Sequence, residues 1–415
     1  MLVETFHSIC QWLRQLIAGT PWEGHVFAVG GCCRDQIMGR AINDIDLAVD
    51  VENGGIEFSR WLYQHRHTVS EPVTFQRYGT AMLHLRRWPE HEIELVQTRC
   101  GKYTDDNADD PSSVFGTISD DAHRRDFTVN SLFYDISRRQ LLDPTGMGID
   151  DIHNQRLRTP MSPDMTFFDD PVRILRCIRL ACLWNWLIDN DTMEAMRNGV
   201  DGLAEIRPER RRAELEKMLT GPDPVRALEL LRTTGAMRYL VPELENAYRS
   251  HANSDSHDTL WQRALRAVEQ TDADLTVRMA VLLHVLSYTA GMRRTVTTND
   301  PHTERALAGA RLAEAALRRL KYHGRFVKEV SFMIRNHVAA TRWGNNAERA
   351  KDRTLTRLSH LCVTRRRLEQ LLDVIHAVNM CAPRHQQRPD QIPQVRARLA
   401  QRFASIFQDE QLTGA

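Results

Sequence analysis

The chain has almost no net charge: 55 basic residues stand against 54 acidic ones, a formal +1 at pH 7. Bulk electrostatics therefore selects no partner, and affinity for a polyanion has to come from local clusters. Cysteine is scattered, at Cys10, Cys32, Cys33, Cys100, Cys177, Cys182, Cys362 and Cys381. None of these forms a C-x-x-C pair, which excludes a zinc-finger framework and predicts reduced thiols in a reducing compartment. Nor is there an apolar run of about 18 residues that could span a bilayer. The stretch from Met1 to Gly19 mixes Glu4, His7 and Arg14 among its apolar positions, which predicts an amphipathic helix and not the basic-then-apolar order of an export signal. No repeat of fixed period is present. These absences predict a cytoplasmic protein with no membrane association, and no obligate protein partner is evident.

What remains is length and ordinary globular composition. The 415 residues, 42% hydrophobic and 26% charged, are too many for one core and predict several packed units. Short apolar runs at His25–Val29, Ile45–Val49, Thr80–Leu85 and Glu92–Thr98 predict strands, with a helix over Gly55–His67. The first ~150 residues are thus mixed α/β. Tyr103 to Ser119 is rich in Asp, Asn, Ser and Gly and predicts a loop. From Pro171 onward apolar positions recur at helical spacing, as in Ile174, Cys177, Ile178 and Ala181, or Leu215, Met218 and Leu219. Breaks at Gly221-Pro222, Gly235, Pro242 and Gly324 predict helices of ordinary length.

Two constellations carry chemistry. The first is Gly30-Gly31-Cys32-Cys33-Arg34-Asp35, followed after eight residues by Asp44-Ile45-Asp46. Two glycines after a strand let backbone approach a triphosphate closely, with Arg34 alongside. Carboxylates two apart on a strand project from one face and can share divalent metal ions, which activate an attacking hydroxyl and neutralise phosphate charge. The second is Asp169-Asp170-Pro171-Val172-Arg173 and the helix it opens. A carboxylate only accepts hydrogen bonds and a guanidinium only donates them, so Asp170 and Arg173 offer an acceptor beside a donor. Adenine and cytosine complement that pair with an amino donor beside a ring nitrogen. Guanine and uracil set a carbonyl against the carboxylate and leave buried groups unpaired. Arg173, Arg176 and Arg179 fall three apart on one helical face, where the latter two can meet phosphates.

The Gly-Gly and D-x-D segments resemble the signature of the nucleotidyltransferase superfamily that includes DNA polymerase β. Arg124-Arg125-Asp126-Phe127-Thr128-Val129-Asn130 is similar to the R-R-D-F-T-x-N motif of its class II branch, which holds bacterial CCA-adding enzymes and poly(A) polymerases. The resemblance covers residues 25 to 245 and implies an α+β protein. It implies a polymerase-β-like catalytic head over 1–155, a helical neck carrying the nucleotide-selecting helix over 156–245, and a helical, degenerate HD-like, RNA-binding body and tail over 246–415. It implies that Arg125 meets the triphosphate, that Asp126 and Asn130 help recognise the ribose, and that Glu94 is a third carboxylate near the metals. It assigns Asp143-Pro144-Thr145-Gly146-Met147-Gly148 to a D-P-x-G-G turn, with Gly148 supplying a positive φ in place of the usual glycine at Met147. Glu209, Arg210, Glu214 and Lys217 fall on the helix that supports the templating pair.

The implied activity is addition of CMP and AMP from CTP and ATP to the 3′ end of tRNA, with Mg2+ as cofactor and pyrophosphate released. Poly(A) polymerase and partial CC- or A-adding enzymes are alternatives within the family, and a catalytically retired RNA-binding protein is an alternative outside it. Leu275 to Ala290 resembles an HD-type phosphohydrolase helix, yet His284 is followed by Val285 and Arg305 stands where a further ligand would fall. Valine and guanidinium do not ligate metals, so His257, His284 and His337 are expected to be core or surface residues. Basic clusters at Arg318-Arg319-Lys321, Arg325 and Lys328, and Arg365–Arg367, are candidate RNA contacts.

Overall fold

The computed structural model describes residues 3–42, 44–100, 114–250, 258–289, 301–338, 361–362 and 364–381. His257, the tail from Arg384 and most of the 103–119 stretch lie outside the described residues. The chain divides into two compact units, one comprising 1–177 with 184–202 and the other 178–183 with 203–415.

The first unit opens with helix α1 (Val3–Ile17), whose Phe6, Ile9, Cys10, Leu13 and Ile17 recur every three or four residues and are all buried. Strands β1 (Val26–Val29), β2 (Ile45–Val49), β3 (Val73–Phe75), β4 (Thr80–Leu85) and β5 (Trp88–Gln97) follow, with helices α2 (Gly31–Ile37) and α3 (Gly54–Gln64) between them. A two-stranded ribbon, β6 (Arg99–Cys100) with β7 (Val114–Phe115), precedes helix α4 (Ile118–His123). A hairpin, β8 (Phe133–Asp135) and β9 (Gln140–Leu142), completes the seven-stranded sheet in the order β3-β4-β5-β2-β1-β8-β9. Only β2 and β5 pair in parallel; the other neighbours are antiparallel. Every residue of β1 is buried, as expected for an uninterrupted V-F-A-V run inside a sheet. Phe27 and Val29 share one face with Ala48 and Phe133 and pack against Ala122 of α4.

The four predicted strands and the helix after β2 are present. The short strands β3, β8 and β9, three residues each, were not legible as apolar runs. The expected loop ends earlier than its composition suggests, because Val114 and Phe115 pair with Arg99 and Cys100. Thr117 then caps α4 in a reciprocal box with Asp120.

Helix α5 (Gly148–His153), a parallel strand pair β10 (Arg156–Leu157) and β11 (Leu187–Ile188), and helices α6 (Pro163–Asp169), α7 (Val172–Trp184) and α8 (Asn190–Gly199) follow. Apart from β11, the described chain beyond Pro171 is helical or irregular, with α9 (Pro208–Leu219), α10 (Pro224–Thr233), α11 (Met237–Leu240), α12 (Leu260–Glu269), α13 (Leu275–Leu283), α14 (Leu286–Thr289), α15 (Pro301–Arg319), α16 (Gly324–Asn336) and a last helix, Arg365–Met380. The apolar faces read from the sequence, Ile174, Cys177, Ile178 and Ala181 and then Leu215, Met218 and Leu219, are all buried. None of the eight cysteines forms a disulfide. Among the described residues no helix is long and apolar enough to cross a membrane.

Candidate active site

The site is built where β1 ends. Gly30 adopts φ 77° and ψ −126°, a region that L side chains avoid. A Cβ there would lie 3.1 Å from Arg125 Nη1 and 4.0 Å from Asp46 Oδ2. Glycine therefore serves twice: it takes the backbone angle and leaves room for a guanidinium and a carboxylate against the main chain. Val29 pairs in register with Asp46, and Asp46 with Glu94 on the next strand, so the two acids share a face. Asp44 immediately precedes β2 and is exposed. Burial pushes the Asp46 carboxyl up from its usual range, Arg125 opposes the shift and the Asp44 charge adds to it. Glu94 is also raised, by burial and then by Asp46, against the opposing charges of Arg99 and Arg125.

Carboxylates crowded to this degree are a hard-oxygen donor set that a divalent cation would relieve, and the residues fit Mg2+ better than a thiophilic metal. Among the described residues no group of three or more His, Cys, Asp or Glu side chains is placed to hold a metal ion, so the expected three-carboxylate cluster of Asp44, Asp46 and Glu94 is not formed. Two carboxylates can still hold Mg2+ when substrate phosphates complete its coordination.

A chain of polar contacts fixes the cations of the first unit. Arg125 donates from Nε and Nη2 to Asp121 Oδ2 at 3.0 and 2.7 Å. Asp121 is 4% exposed, and sequence reasoning missed it; an acid four residues before an arginine on a helix was the available signal. Asp126 accepts Arg176 Nε and Nη2 at 2.8 and 2.6 Å on one oxygen, and the Phe127 N–H and Asn130 Nδ2 at 2.9 Å each on the other. Burial alone would raise the Asp126 carboxyl, but Arg176 and the Asn130 hydrogen bond outweigh it and hold the pKa at about 2. Asn130 Oδ1 in turn accepts Arg34 Nη1 at 2.5 Å, and the Arg34 guanidinium also reaches Asp35 and lies 4.4 Å over the Trp184 ring. Trp184 was the second residue that sequence reasoning missed. In this structure the carboxylate of Asp126 and the amide of Asn130 are thus engaged with protein groups.

At the start of α7, Asp170 Oδ1 accepts the Val172 N–H at 3.2 Å, and the residue is 8% exposed. Arg173 donates Nη2 to the Arg124 carbonyl at 2.7 Å and Nη1 to the Thr166 carbonyl at 3.4 Å. The donor of the expected pair is therefore tied to the R-R-D-F segment, which orients it. Asp169 Oδ1 is buried with no hydrogen-bond donor, an acceptor that a ligand amino group could satisfy. Arg176 and Arg179 are both committed to carboxylates, Arg176 to Asp126 and Arg179 Nε to Glu214 Oε2 at 2.6 Å. Glu214 is 6% exposed and also faces Lys217 at 3.8 Å.

The turn at Asp143 departs from expectation. Gly146, not Gly148, supplies the positive φ, at 65°, and Met147 sits at φ −129°, open to any residue. Gly148 is needed for space, since a Cβ would come within 2.5 Å of the Thr128 carbonyl oxygen. In the second unit His284 and His337 are 1% and 5% exposed, and each places Nδ1 against a carbonyl of its own helix, so both are core residues as expected. Of the basic clusters, Arg319 pairs with Glu243, and Arg367 pairs with Glu329 and lies 3.7 Å over the Phe332 ring.

Comparison with known proteins places the site in context. Residues 26–158 match the model of the poly A polymerase head domain, and residues 187–248 that of a probable RNA and SrmB-binding site of polymerase A. The chain is 33% identical over 226 residues to the mitochondrial CCA tRNA nucleotidyltransferase of Saccharomyces cerevisiae, covering 49% of this chain and 40% of that protein. It is 32% identical over 250 residues to the CCA-adding enzyme of Limosilactobacillus reuteri, covering 60% of this chain and 58% of that protein. The matched part thus spans about half the length of these curated relatives. Among solved structures, the Bacillus stearothermophilus CCA-adding enzyme in complex with CTP superposes with a TM-score of 0.61 at 22% identity, over 96% of this chain and 81% of that one. The Thermotoga maritima CCA-adding enzyme complexed with tRNA gives 0.55 at 19% identity, over 85% and 74%. Both share the fold described above.

Proposed function

The chain belongs to the class II nucleotidyltransferases, the family of the CCA-adding enzymes, and on that premise we propose that it adds CMP and AMP from CTP and ATP to the 3′ end of tRNA, releasing pyrophosphate. The observation that carries the proposal is the register of Asp46 between Val29 and Glu94, with Arg125 and Gly30 against it. Catalytic acids, a phosphate-neutralising cation and a backbone opening converge there on one sheet end. Relatives are named for this activity, and solved proteins of similar fold are in complex with CTP or with tRNA.

Asp44 and Asp46 would hold Mg2+, which supplies charge neutralisation at the reacting phosphate and lowers the pKa of the attacking 3′ hydroxyl. Gly30 and Gly31 let the triphosphate approach the main chain, and Arg125, steadied by Asp121, meets its charge. Arg34 lies beside it, positioned by Asn130 and the Trp184 ring. Asp170 and Arg173 read the incoming base: an amino donor and a ring nitrogen satisfy them, whereas the carbonyls of guanine and uracil leave buried groups unpaired. Tethering of Arg173 to the Arg124 carbonyl supports this role, because a guanidinium fixed by two carbonyls discriminates with little loss of entropy on binding. Glu94 adds a third negative group whose charge strengthens the pull on a cation.

The test is incubation of the purified protein with labelled CTP or ATP, Mg2+ and tRNA transcripts lacking A, CA or CCA. Restoration of CCA is expected. Products ending at CC, a single A only on a CC-ended transcript, or a long A tract would identify a partial enzyme or a poly(A) polymerase. No incorporation would leave an RNA-binding role and overturn the assignment.

A further inference from the structure

In the second unit, helix α12 (Leu260–Glu269) carries two arginines one turn apart with contrasting surroundings. Arg266 donates to Asp258 at 2.9 Å and is half-exposed. Arg263 is 2% exposed, and its Nε and Nη1 have no hydrogen-bond partner. Among the described residues no carboxylate pairs with it. Its guanidinium lies 5.1 Å over the ring of Tyr288, which follows helix α13 (Leu275–Leu283) in the short helix α14 (Leu286–Thr289). His284, at the end of α13, is 6.3 Å from the Tyr288 ring and 5.8 Å from the ring of His337, at the end of helix α16 (Gly324–Asn336).

These neighbours cannot balance the charge. Burial and the nearby Arg263 hold His284 and His337 neutral, their pKa values lowered to about 3 and about 4. Each ring places Nδ1 at a backbone carbonyl, of Val281 and Ile334, so the Nδ1 protons are already used. A tyrosine face attracts a cation, but far less than a buried guanidinium loses on leaving water without a counter-charge. Buried donors with no partner in a folded protein usually mark an ion or a water that completes them.

We propose that the helical unit binds a small inorganic anion against Arg263, in a buried site formed with His284, Tyr288 and His337. Its burial excludes a macromolecular phosphate, so the ligand class is free phosphate, sulfate or halide. The site is separate from the catalytic head and does not depend on the nucleotidyl-transfer reading. The anion acts as a structural counter-ion for α12, α13, α14 and α16, all of which contribute to the cluster.

The test follows the thermal midpoint of the full chain in an anion-poor buffer as sodium phosphate, or separately sodium chloride, is added to wild type, Arg263→Met and Arg263→Lys. Phosphate reaching the triphosphate site stabilises all three proteins alike, so only the difference between them counts. Wild type and Arg263→Lys are expected to rise by about 3 °C more than Arg263→Met at saturating anion. A differential rise with either salt supports the site and says which anion class it takes; equal responses of all three proteins overturn it. Should Arg263→Met fail to fold, bromide and, separately, selenate soaked into wild-type crystals decide. An anomalous peak beside Arg263 Nε or Nη1 with either anion supports the site, and no peak with both overturns it.

Discussion

Replacing Asp126 with Asn removes the charge at the centre of the polar chain that runs from Arg176 through Asn130 to Arg34. The Asp126 carboxyl is held at about 2 against an ordinary 3.8. At 1.36 kcal/mol per pKa unit, that difference corresponds to about 2.5 kcal/mol of stability above pH 4. Arg176 is 38% exposed, so solvent screens part of the attraction. We therefore expect Asp126→Asn to cost about 2 kcal/mol, below the 3–5 kcal/mol of a fully buried pair broken on one side. The sign with pH follows from the depressed folded-state value. The contribution is complete above the unfolded pKa of about 4 and is lost as pH falls through about 2, so near pH 3 about half should remain. Urea unfolding of wild type and variant at about pH 7 and about pH 3 measures both gaps. The variant should also raise KM for CTP and ATP, because an amide has one acceptor oxygen where the carboxylate has two, so either Arg176 or Asn130 loses its partner and the chain that orients Asn130 toward Arg34 is broken or loosened. A stability gap that is absent at pH 7, or equally large at pH 3, would refute the reasoning.

Asp44→Ala should reduce nucleotide incorporation at least a hundredfold. It should leave the thermal midpoint within a degree or so of wild type, because an exposed side chain ahead of β2 contributes little to folding; incorporation assays and calorimetry on one preparation check both. Arg173→Ala should narrow the ratio of kcat/KM for ATP and CTP over GTP and UTP by about tenfold or more, while tRNA affinity in a filter-binding assay changes less than threefold. The raised carboxyls of Asp46 and Glu94 must lose their protons to hold a cation. Mg2+ binding should therefore tighten as pH rises from about 4 to 7 and release protons, which calorimetric titration in buffers of different ionisation enthalpy detects. Pairing in which affinity falls with pH would place the metal elsewhere.

Much of the fold and part of the site were legible because they depend on local pattern. The V-F-A-V run, the I-D-L-A-V run after Asp44 and the three-four spacing of α7 each announce an element and the face it buries, since side chains alternate along a strand and recur every turn of a helix. The glycine pair and the two aspartates were visible for the same reason. The strands β3, β8 and β9, at three residues each, fall below the length at which alternation can be read, and only their neighbours in the sheet make them strands.

Sequence alone determined which residue types the chemistry has at its disposal: a glycine pair, acids two apart further on, and a carboxylate three residues before an arginine at the start of α7. Tertiary structure decided the pairings. Glu94 lies some fifty residues from Asp46 and becomes its neighbour only through the parallel pairing of β2 with β5. Asp126 and Arg176 meet across a similar span, Trp184 comes beneath Arg34, and Arg263 is left without a carboxylate among the described residues. Periodicity tells which way a side chain faces, but what it faces is set by which elements pack together, and charge and hydrogen bonding act over a few ångströms in space irrespective of distance along the chain.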